Sequence, residues 1–256
     1  MNADKRVGKP DILVQKDNLN RTFTFGDNWV LEFDKLSTLL IKPNDISMYS
    51  GISDKNLNKA KEFYDRVISP RHSYQYNPFP AKETQIEYLD YFELIITSVV
   101  SAYTALEAMS NMCIPEGYTF TDKDGVHTKE QIERDFPLRN KFKFILKELY
   151  QTSDPAKEKW WSKFKKLEDI RNMIIHAKPL RSNDRYAQFL KKDIFDFISI
   201  HKTIITYYGK YIHLNGGDMI NVIPYNFGFD QVYPILIDDS EYRRIYNNLH
   251  NPHNLL

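Results

Sequence analysis

The stretch TQIEYLDYFELIITSVVSAYTALEAMSNMC, residues 84–113, contains no glycine and no proline. Apolar side chains recur along it at spacings of three, four or seven, the repeat of one face of an α-helix; they are Ile86, Leu89, Ile96, Val100, Tyr103 and Leu106. The middle of the stretch is apolar nearly all round. It therefore predicts a long, central, buried helix that ends near Pro115.

Further helical patterns follow this stretch along the chain. They span about 129–150, with a break near Pro137, about 155–177 and about 187–213. Ser153 or Asp154 is suited to cap the helix at 155–177, with Pro155 at its first position. The sequence therefore predicts a mainly α protein with a helical bundle over 84–213.

The segments on either side of the bundle are expected to contain β-structure. Residues 1–83 are predicted to form an extension in which the runs 21–25 and 29–33 pair as a hairpin around a Gly-Asp-Asn turn. A short amphipathic helix is expected at 57–68.

Residues 214–256 are predicted to form a C-terminal strand pair and tail. The two runs are MINVIPYNF at 219–227 and QVYPILI at 231–237. Proline cannot donate to a β-ladder, so Pro224 and Pro234 favour edge positions or bulges.

Several classes of site are excluded by composition and spacing. The single cysteine, Cys113, rules out a disulfide framework and a multi-cysteine zinc site, and its apolar surroundings favour a core position. The seven histidines show no metal-binding spacing, and no glycine-rich phosphate loop is present. Asp122 to Gly125 lacks the spacing of a calcium loop and is predicted to be a turn. No metal or cofactor is expected.

The chain is expected to be cytoplasmic and to have no membrane partner. Its first residues, MNADKRVGKPDILVQKDN, lack the apolar core of a secretory signal. Its longest uncharged run, Leu94 to Leu106, is too short to span a bilayer.

Charge is unevenly distributed along the chain, although the net charge is only +1. Residues 139–192 contain 15 lysines and arginines against 6 acidic residues, whereas acidic residues are in excess on both sides. Such asymmetry is typical of a surface that faces a polyanion. A solvated helix face would have the same composition, so both interpretations stay open. The same holds for Trp160 and Trp161 among the lysines, which are suited either to stack on bases or to pack in the core.

One motif lies inside the basic stretch, at the predicted end of the 155–177 helix. It reads Arg171-Asn172-Met173-Ile174-Ile175-His176 and is followed by Pro179. This motif resembles the R-x4–6-H motif of the HEPN superfamily, in which a polar residue often follows the arginine. The stretch SAYTALEAMSN at 101–111 is similar to the first long helix of many HEPN proteins, and the resemblance covers about 84–213.

The resemblance implies a metal-independent endoribonuclease, a toxin or an antiphage effector, whose active site forms between two copies of the chain. Arg171 and His176 would then be catalytic, with Asn172 beside them, and the products would end in 2′,3′-cyclic phosphate. An antitoxin would be a further partner. The residue types suit this chemistry, because histidine titrates near neutral pH and arginine grips phosphate oxygens in a fork. Asn172 and His176, four residues apart, share a helix face.

Two further groups of residues are candidates to support the site. Glu107 and Asn111 are four apart on the central helix, and a buried carboxylate there needs a partner such as Arg171. The candidate RNA-binding residues are Lys178, Arg181 and Arg185. The alternative function is a non-catalytic module of the same fold that binds RNA or a protein partner.

Overall fold

The fold is organised around one helix, α3, which spans Lys82–Met112. The computed structural model describes residues 5–15, 22–25, 28–34, 36–71, 82–176 and 184–250. The protein is mainly helical with a few short strands, as the sequence predicts. Helices α1, α7 and α9 all pack against α3, so it lies at the centre of the bundle.

The bounds of the other helices follow the chain. The α-helices are α1 Asp45–Phe63, α2 Ser69–Arg71, α4 Lys129–Asp135, α5 Leu138–Asn140, α6 Lys147–Tyr150, α7 Trp161–Ile175, α8 Asp184–Phe189, α9 Ile194–Asn215 and α10 Asp239–His250. Two π-helical segments, Tyr64–Ile68 and Lys141–Leu146, join α1 to α2 and α5 to α6. Two 3₁₀ turns lie at Pro155–Lys157 and Gly217–Asn221.

The buried stripe of α3 confirms its central position but differs from the predicted face. The fully buried apolar side chains are Tyr91, Ile95, Val99, Ala102, Ala105, Leu106 and Met109. The first two residues of the predicted face, Ile86 and Leu89, are 50% and 60% exposed. The stripe that the neighbouring helices cover lies about one residue round from the predicted one. The apolar pattern alone did not fix this rotation, because the middle of the helix is apolar on every side.

Helix α1 begins at Asp45, well before the predicted start at residue 57. Its N-cap is Asn44, whose side chain accepts from the Ser47 N–H at 3.1 Å. Small residues allow α1 to lie close along α3, and the Ser53 hydroxyl donates to the Ser98 carbonyl at 3.0 Å. The first half of α1 buries serines, namely Ser47, Ser50 and Ser53. Because these residues are polar, a search for apolar periodicity overlooks this half of the helix. The bundle takes in α1 in addition to the helices of 84–213.

The remaining helices are more broken than the sequence predicts. The break at Pro137 is confirmed. Asp154 caps a 3₁₀ turn by accepting from the Ala156 N–H at 3.0 Å, but α7 itself begins only at Trp161. The predicted fourth helix is two helices, α8 and α9, separated at residues 190–193.

The aromatic side chains of the lysine-rich segment lie in the core. Trp160 and Trp161 are buried and pack on Phe164. Stacking of these tryptophans on bases is therefore excluded in this fold. Cys113 is also buried and unpaired, as expected.

The strands form three small sheets with pairings that the sequence did not reveal. They are β1 Asp11–Gln15, β2 Thr22–Phe25, β3 Asn28–Phe33, β4 Leu36–Ile41, β5 Thr119–Asp122, β6 Gly125–Thr128 and β7 Pro234–Ile237. Antiparallel pairs join β1 to β2, β3 to β4 and β5 to β6, and β7 runs parallel to β1. The predicted hairpin between 21–25 and 29–33 is wrong, since β2 pairs with β1 and β3 pairs with β4.

The predicted C-terminal strand pair is also wrong. Residues 217–221 form a 3₁₀ turn, and only the second run supplies a strand, β7. Pro234 is the first residue of this edge strand, a position that tolerates a residue with no backbone N–H to donate to the ladder. Residues 122–125 form the turn between β5 and β6, as predicted.

Helix α3 is long and apolar enough to cross a membrane by length and composition alone. Half of its apolar window is buried inside the bundle, which is the packing expected of a core helix. No other helix of the described residues meets that test.

The stability of the bundle should depend on the C-terminal half of α3. Leu106→Ala should lower the free energy of unfolding by about 2–5 kcal/mol, because it removes a fully buried side chain and leaves a cavity. Leu89→Ala on the same helix is the control and should change it by no more than about 0.5 kcal/mol. Urea denaturation measures both, and equal effects would contradict the rotation of α3 described here.

Candidate functional site

The predicted catalytic arginine lies where α7 crosses α3. Its guanidinium Nη2 is 3.7 Å from Oε1 of Glu107, and its Cζ is 4.8 Å from the ring centre of Tyr103. Nη1 donates to Oδ1 of Asn172 at 3.0 Å. The predicted pairing of Glu107 with Arg171 is thus confirmed. An ion pair, a cation–π contact and a hydrogen bond together restrict where the guanidinium can point.

A buried carboxylate lies one helical turn before Arg171. Glu168 is 5% exposed, and its Oε1 accepts from the Tyr103 hydroxyl at 3.1 Å. Its Oε2 accepts from Nε of Arg139 at 2.8 Å and also from Nη2 of the same guanidinium. Burial, and after it the charge of Glu168, raises the pKa of Tyr103, so this phenol stays protonated and keeps donating. Tyr103 therefore links Glu168 to Arg171, whose guanidinium lies over the Tyr103 ring.

The second predicted supporting residue, Asn111, contacts a different cation. Its Oδ1 accepts from Nζ of Lys141 at 2.8 Å, and the same ammonium donates to the Glu133 carbonyl at 2.8 Å. Lys141 is only 3% exposed, and burial lowers its pKa. We call Tyr103, Glu107, Asn111, Arg139, Lys141, Glu168, Arg171 and Asn172 the Arg171 cluster.

Glu107 is the carboxylate of the cluster with a perturbed titration. Partial burial raises the pKa of its carboxyl above the usual range, while the positive charges of Arg171 and Lys141 oppose that rise. The two cationic neighbours thus offset part of the effect of burial on this carboxyl.

His176 ends α7 and faces outward. Its backbone N–H donates to the Asn172 carbonyl at 2.9 Å, and its side chain is exposed. Within the described part of the chain the imidazole forms no hydrogen bond or ion pair. Asn172 is exposed as well, so the two share an accessible surface. Ile175 is 50% exposed beside them.

Of the three predicted RNA-binding residues, the structure describes only the backbone of one. Lys178 and Arg181 lie outside the described residues, and Arg185 lies on α8 with a side chain that is not described. The basic stretch does present exposed lysines at 157, 159, 165, 166, 191 and 192. Lys141, in contrast, is buried in the Arg171 cluster, and Arg139 pairs with Glu168 there although its side chain remains partly exposed.

Four members of the cluster were missed from the sequence as site residues, namely Tyr103, Arg139, Lys141 and Glu168. Glu168 left a signal, since it lies four residues after the buried Phe164 on the apolar side of α7. A charged residue on a buried stripe requires a partner. Arg139 and Lys141 left none. Arg139 lies on the short helix α5, and Lys141 begins a π-helical segment that no sequence pattern distinguishes from an α-helix.

No family model, curated protein or solved structure matches this chain. The resemblance to HEPN proteins therefore rests on the residues quoted above. Among the described residues there is also no group of histidine, cysteine and carboxylate side chains that could hold a metal ion.

The pKa of Glu107 should rise further in Arg171→Ala. Of the two cations that lower this pKa, the substitution removes the one with the larger effect, and it leaves the burial of Glu107 largely in place. A carbon-detected NMR titration of the Glu107 carboxyl measures the change. The control is Arg134→Ala, because the Arg134 guanidinium pairs with Asp135, outside the Arg171 cluster. This variant should leave the pKa of Glu107 unchanged.

The sign of the linked stability change follows from this shift. A raised pKa means that the folded chain binds the Glu107 proton more tightly than the unfolded chain. The free energy of unfolding therefore falls as pH rises from the ordinary value, 4.5, through the raised one. That fall should be larger in Arg171→Ala; an equal or smaller fall would contradict the pairing.

Proposed function

We propose that this protein is a metal-independent endoribonuclease of the HEPN type. The observation that supports it is the end of α7, where an exposed imidazole, His176, lies little more than one turn from a guanidinium held by Glu107 and Tyr103. The exposed side chain of Asn172 lies between them in the sequence. A toxin or antiphage effector, with a possible antitoxin as partner, is the role that the resemblance implies.

The cleavage step needs a base, a cation and a protonated leaving group. One His176 takes the proton from a ribose 2′-hydroxyl, and the freed oxygen attacks the adjacent phosphorus. Arg171 stabilises the negative charge of the phosphorane. The bond to the 5′-oxygen then breaks and that oxygen takes a proton from a second, protonated His176, which leaves a 2′,3′-cyclic phosphate and a 5′-hydroxyl.

A two-fold dimer would supply the second histidine. A symmetric interface places the same patch opposite itself, so the ends of two α7 helices bring two imidazoles and two guanidiniums into one cleft. The exposed Ile175 beside His176 supplies apolar surface for such a contact. A stable pair would bury about 1,200 Å² or more in total.

The second candidate is a non-catalytic module of the same fold that binds RNA or a protein partner. Its support is that Arg171 already has three contacts inside one chain, to Glu107, Tyr103 and Asn172. A guanidinium used in this way stabilises the crossing of α3 and α7 even without a substrate. The two candidates differ in whether RNA is cut.

His176→Ala and Arg171→Ala should each abolish RNA cleavage, whereas Asn172→Ala should only slow it. His176 is exposed, so its removal should change the free energy of unfolding by no more than about 0.5 kcal/mol. Loss of cleavage without loss of stability in His176→Ala would thus show that His176 takes part in the reaction itself. Gel analysis of product ends on structured and unstructured RNA measures cleavage, and chelators should have no effect.

The controls for this experiment are His127→Ala and Arg134→Ala, whose charged partners Asp122 and Asp135 lie outside the Arg171 cluster. Both should cut as the unaltered chain does. Cleavage that survives the loss of His176 and Arg171, or that requires magnesium, would refute the site. A chain that is monomeric by light scattering while it cuts would refute the two-copy arrangement. Binding without cleavage would favour the second candidate.

RNA affinity should fall steeply with salt. Each phosphate contact contributes a slope of about −0.7 in log K against log salt for single strands. Reversing three predicted contacts to glutamate should weaken binding and lower that slope; they are Lys178, Arg181 and Arg185. Filter binding across a salt series measures both quantities.

The matched control reverses three exposed lysines of α1, which lie outside the basic stretch; they are Lys55, Lys59 and Lys61. This variant has the same net charge as the first. Equal weakening in both would show that overall charge, and not the 139–192 stretch, determines RNA affinity. Binding that does not depend on salt would remove the case for phosphate contacts.

A further inference from the structure

An open cavity of about 560 Å³ lies within the basic stretch of the chain. The π-helical segment Lys141–Leu146 and the helix α6 that follows it supply most of its wall, and Phe120 of β5 adds a wall from outside the stretch. None of the residues of the Arg171 cluster lines this cavity. Its volume lies in the range of small-ligand sites and is large enough for one nucleotide.

An aromatic ring is exposed in this cavity. Phe144 is 46% exposed, although Phe142 and Ile145 on the same π-helical segment are fully buried. Phe120 packs edge-on against Phe136, and within the described part of the chain it makes no ring contact with Phe144. The face of an aromatic ring that is not covered by other side chains can stack on a flat aromatic group.

Two departures from α-helical geometry border the cavity. The first is the π-helical segment, a rare form that often occurs at functional sites, and it carries Lys143 and Phe144. The second is Gln151, which ends α6 in the left-handed conformation with φ at 52°, where glycine is favoured because it has no Cβ. Its exposed side chain lines the cavity, and the amide has no hydrogen-bond partner among the described residues. This amide is therefore available to a ligand.

Two ammonium groups flank the exposed ring. Lys143 Nζ lies 5.5 Å from the centre of the Phe144 ring, and Lys147, four residues further on, is exposed. Neither forms an ion pair with any residue that the structure describes. Among the described lining residues the one carboxylate is Glu148, which accepts from the Tyr118 hydroxyl at 3.1 Å. Cations beside an open aromatic ring are complementary to the phosphates and bases of a nucleic-acid strand.

We propose that this cavity binds an unpaired nucleotide of single-stranded RNA. The base would stack on Phe144, and the phosphates on either side of it would contact Lys143 and Lys147. The Gln151 amide both donates and accepts, so it can bond to the edge of the base. A base inside a duplex is already stacked and paired and cannot make these contacts. The inference rests on the proposed function, because it names single-stranded RNA as the class of substrate.

Fluorescence anisotropy on the full chain tests the proposal with two probes, a short labelled RNA without secondary structure and the duplex that it forms with its complement. The chain carries His176→Ala, so that the RNA stays intact during the measurement. The unpaired strand should bind about tenfold more tightly than the duplex, because only the strand can place a base on Phe144. Equal or tighter binding of the duplex would overturn the proposal. Absence of binding to either probe would overturn it as well, and a protein would then be the remaining partner for the exposed ring.

Substitutions of Phe144 separate stacking from apolar contact. Phe144→Leu should weaken the unpaired strand about tenfold, because leucine is apolar but cannot stack, whereas Phe144→Trp should bind it at least as tightly as phenylalanine does. Tyr49→Leu, at a residue of α1 that is 37% exposed and outside the cavity, is the control and should leave the affinity unchanged. Equal affinity in Phe144→Leu and Phe144→Trp would overturn the proposal. The melting temperature of each variant, measured by circular dichroism, should equal that of the unaltered chain, since the altered side chains are exposed.

Substitutions of the charged wall residues test the phosphate contacts. Lys147→Gln should weaken the unpaired strand about twofold or more and reduce the salt slope by about 0.7. Glu148→Gln should strengthen it about twofold or more, because it removes the negative charge from the wall. Lys59→Gln, at an exposed lysine of α1, is the control and should change neither quantity. Equal effects of Lys147→Gln and Lys59→Gln would overturn the contact of Lys147 with phosphate.

Cleavage and binding together separate this inference from the proposed function. A chain that cuts RNA but whose affinity does not depend on Phe144 would overturn the inference and leave the endoribonuclease proposal standing. A chain that binds the unpaired strand through Phe144 but does not cut it would refute cleavage and leave the inference standing.

Discussion

The structure depends on the burial of α3 by three other helices. A helix that is apolar nearly all round must be covered on several sides, and α1, α7 and α9 provide that cover. This requirement fixes which faces of the surrounding helices point inward. It also means that each polar side chain of α3 in the covered region needs a partner on a neighbouring helix.

Tyr103 and Glu107 are the polar groups that meet this requirement on the α7 side. Tyr103 bonds to Glu168, and Glu107 pairs with Arg171, one turn further along α7. Each contact therefore joins the same two helices, and together they restrict both the sliding and the rotation of α7 on α3. The exposed end of α7, with Asn172 and His176, is positioned by these buried contacts and not by its own packing.

Features that depend on a local sequence pattern were predicted correctly. Features that depend on contacts between segments distant in the sequence were not. The long helix, the break at Pro137, the cap at Asp154 and the buried Cys113 all follow from neighbours in the chain. The partner of β2 did not, because β2 pairs with β1 and β3 with β4, and the pattern of the neighbouring runs does not distinguish these pairings from a β2–β3 hairpin. Arg171 and Glu107 were found together because a carboxylate on a buried helix needs a cation. Arg139 and Lys141 lie on α5 and the start of the following π-helical segment, whose approach to the cluster no local pattern reveals.

The ion pair of Arg171 with Glu107 limits how readily this guanidinium can bind a phosphate. In the Arg171 cluster the cations already have partners, so a phosphate that binds Arg171 must compete with Glu107. Because burial disfavours the charged form of Glu107, that competition weakens whenever the carboxyl takes up a proton.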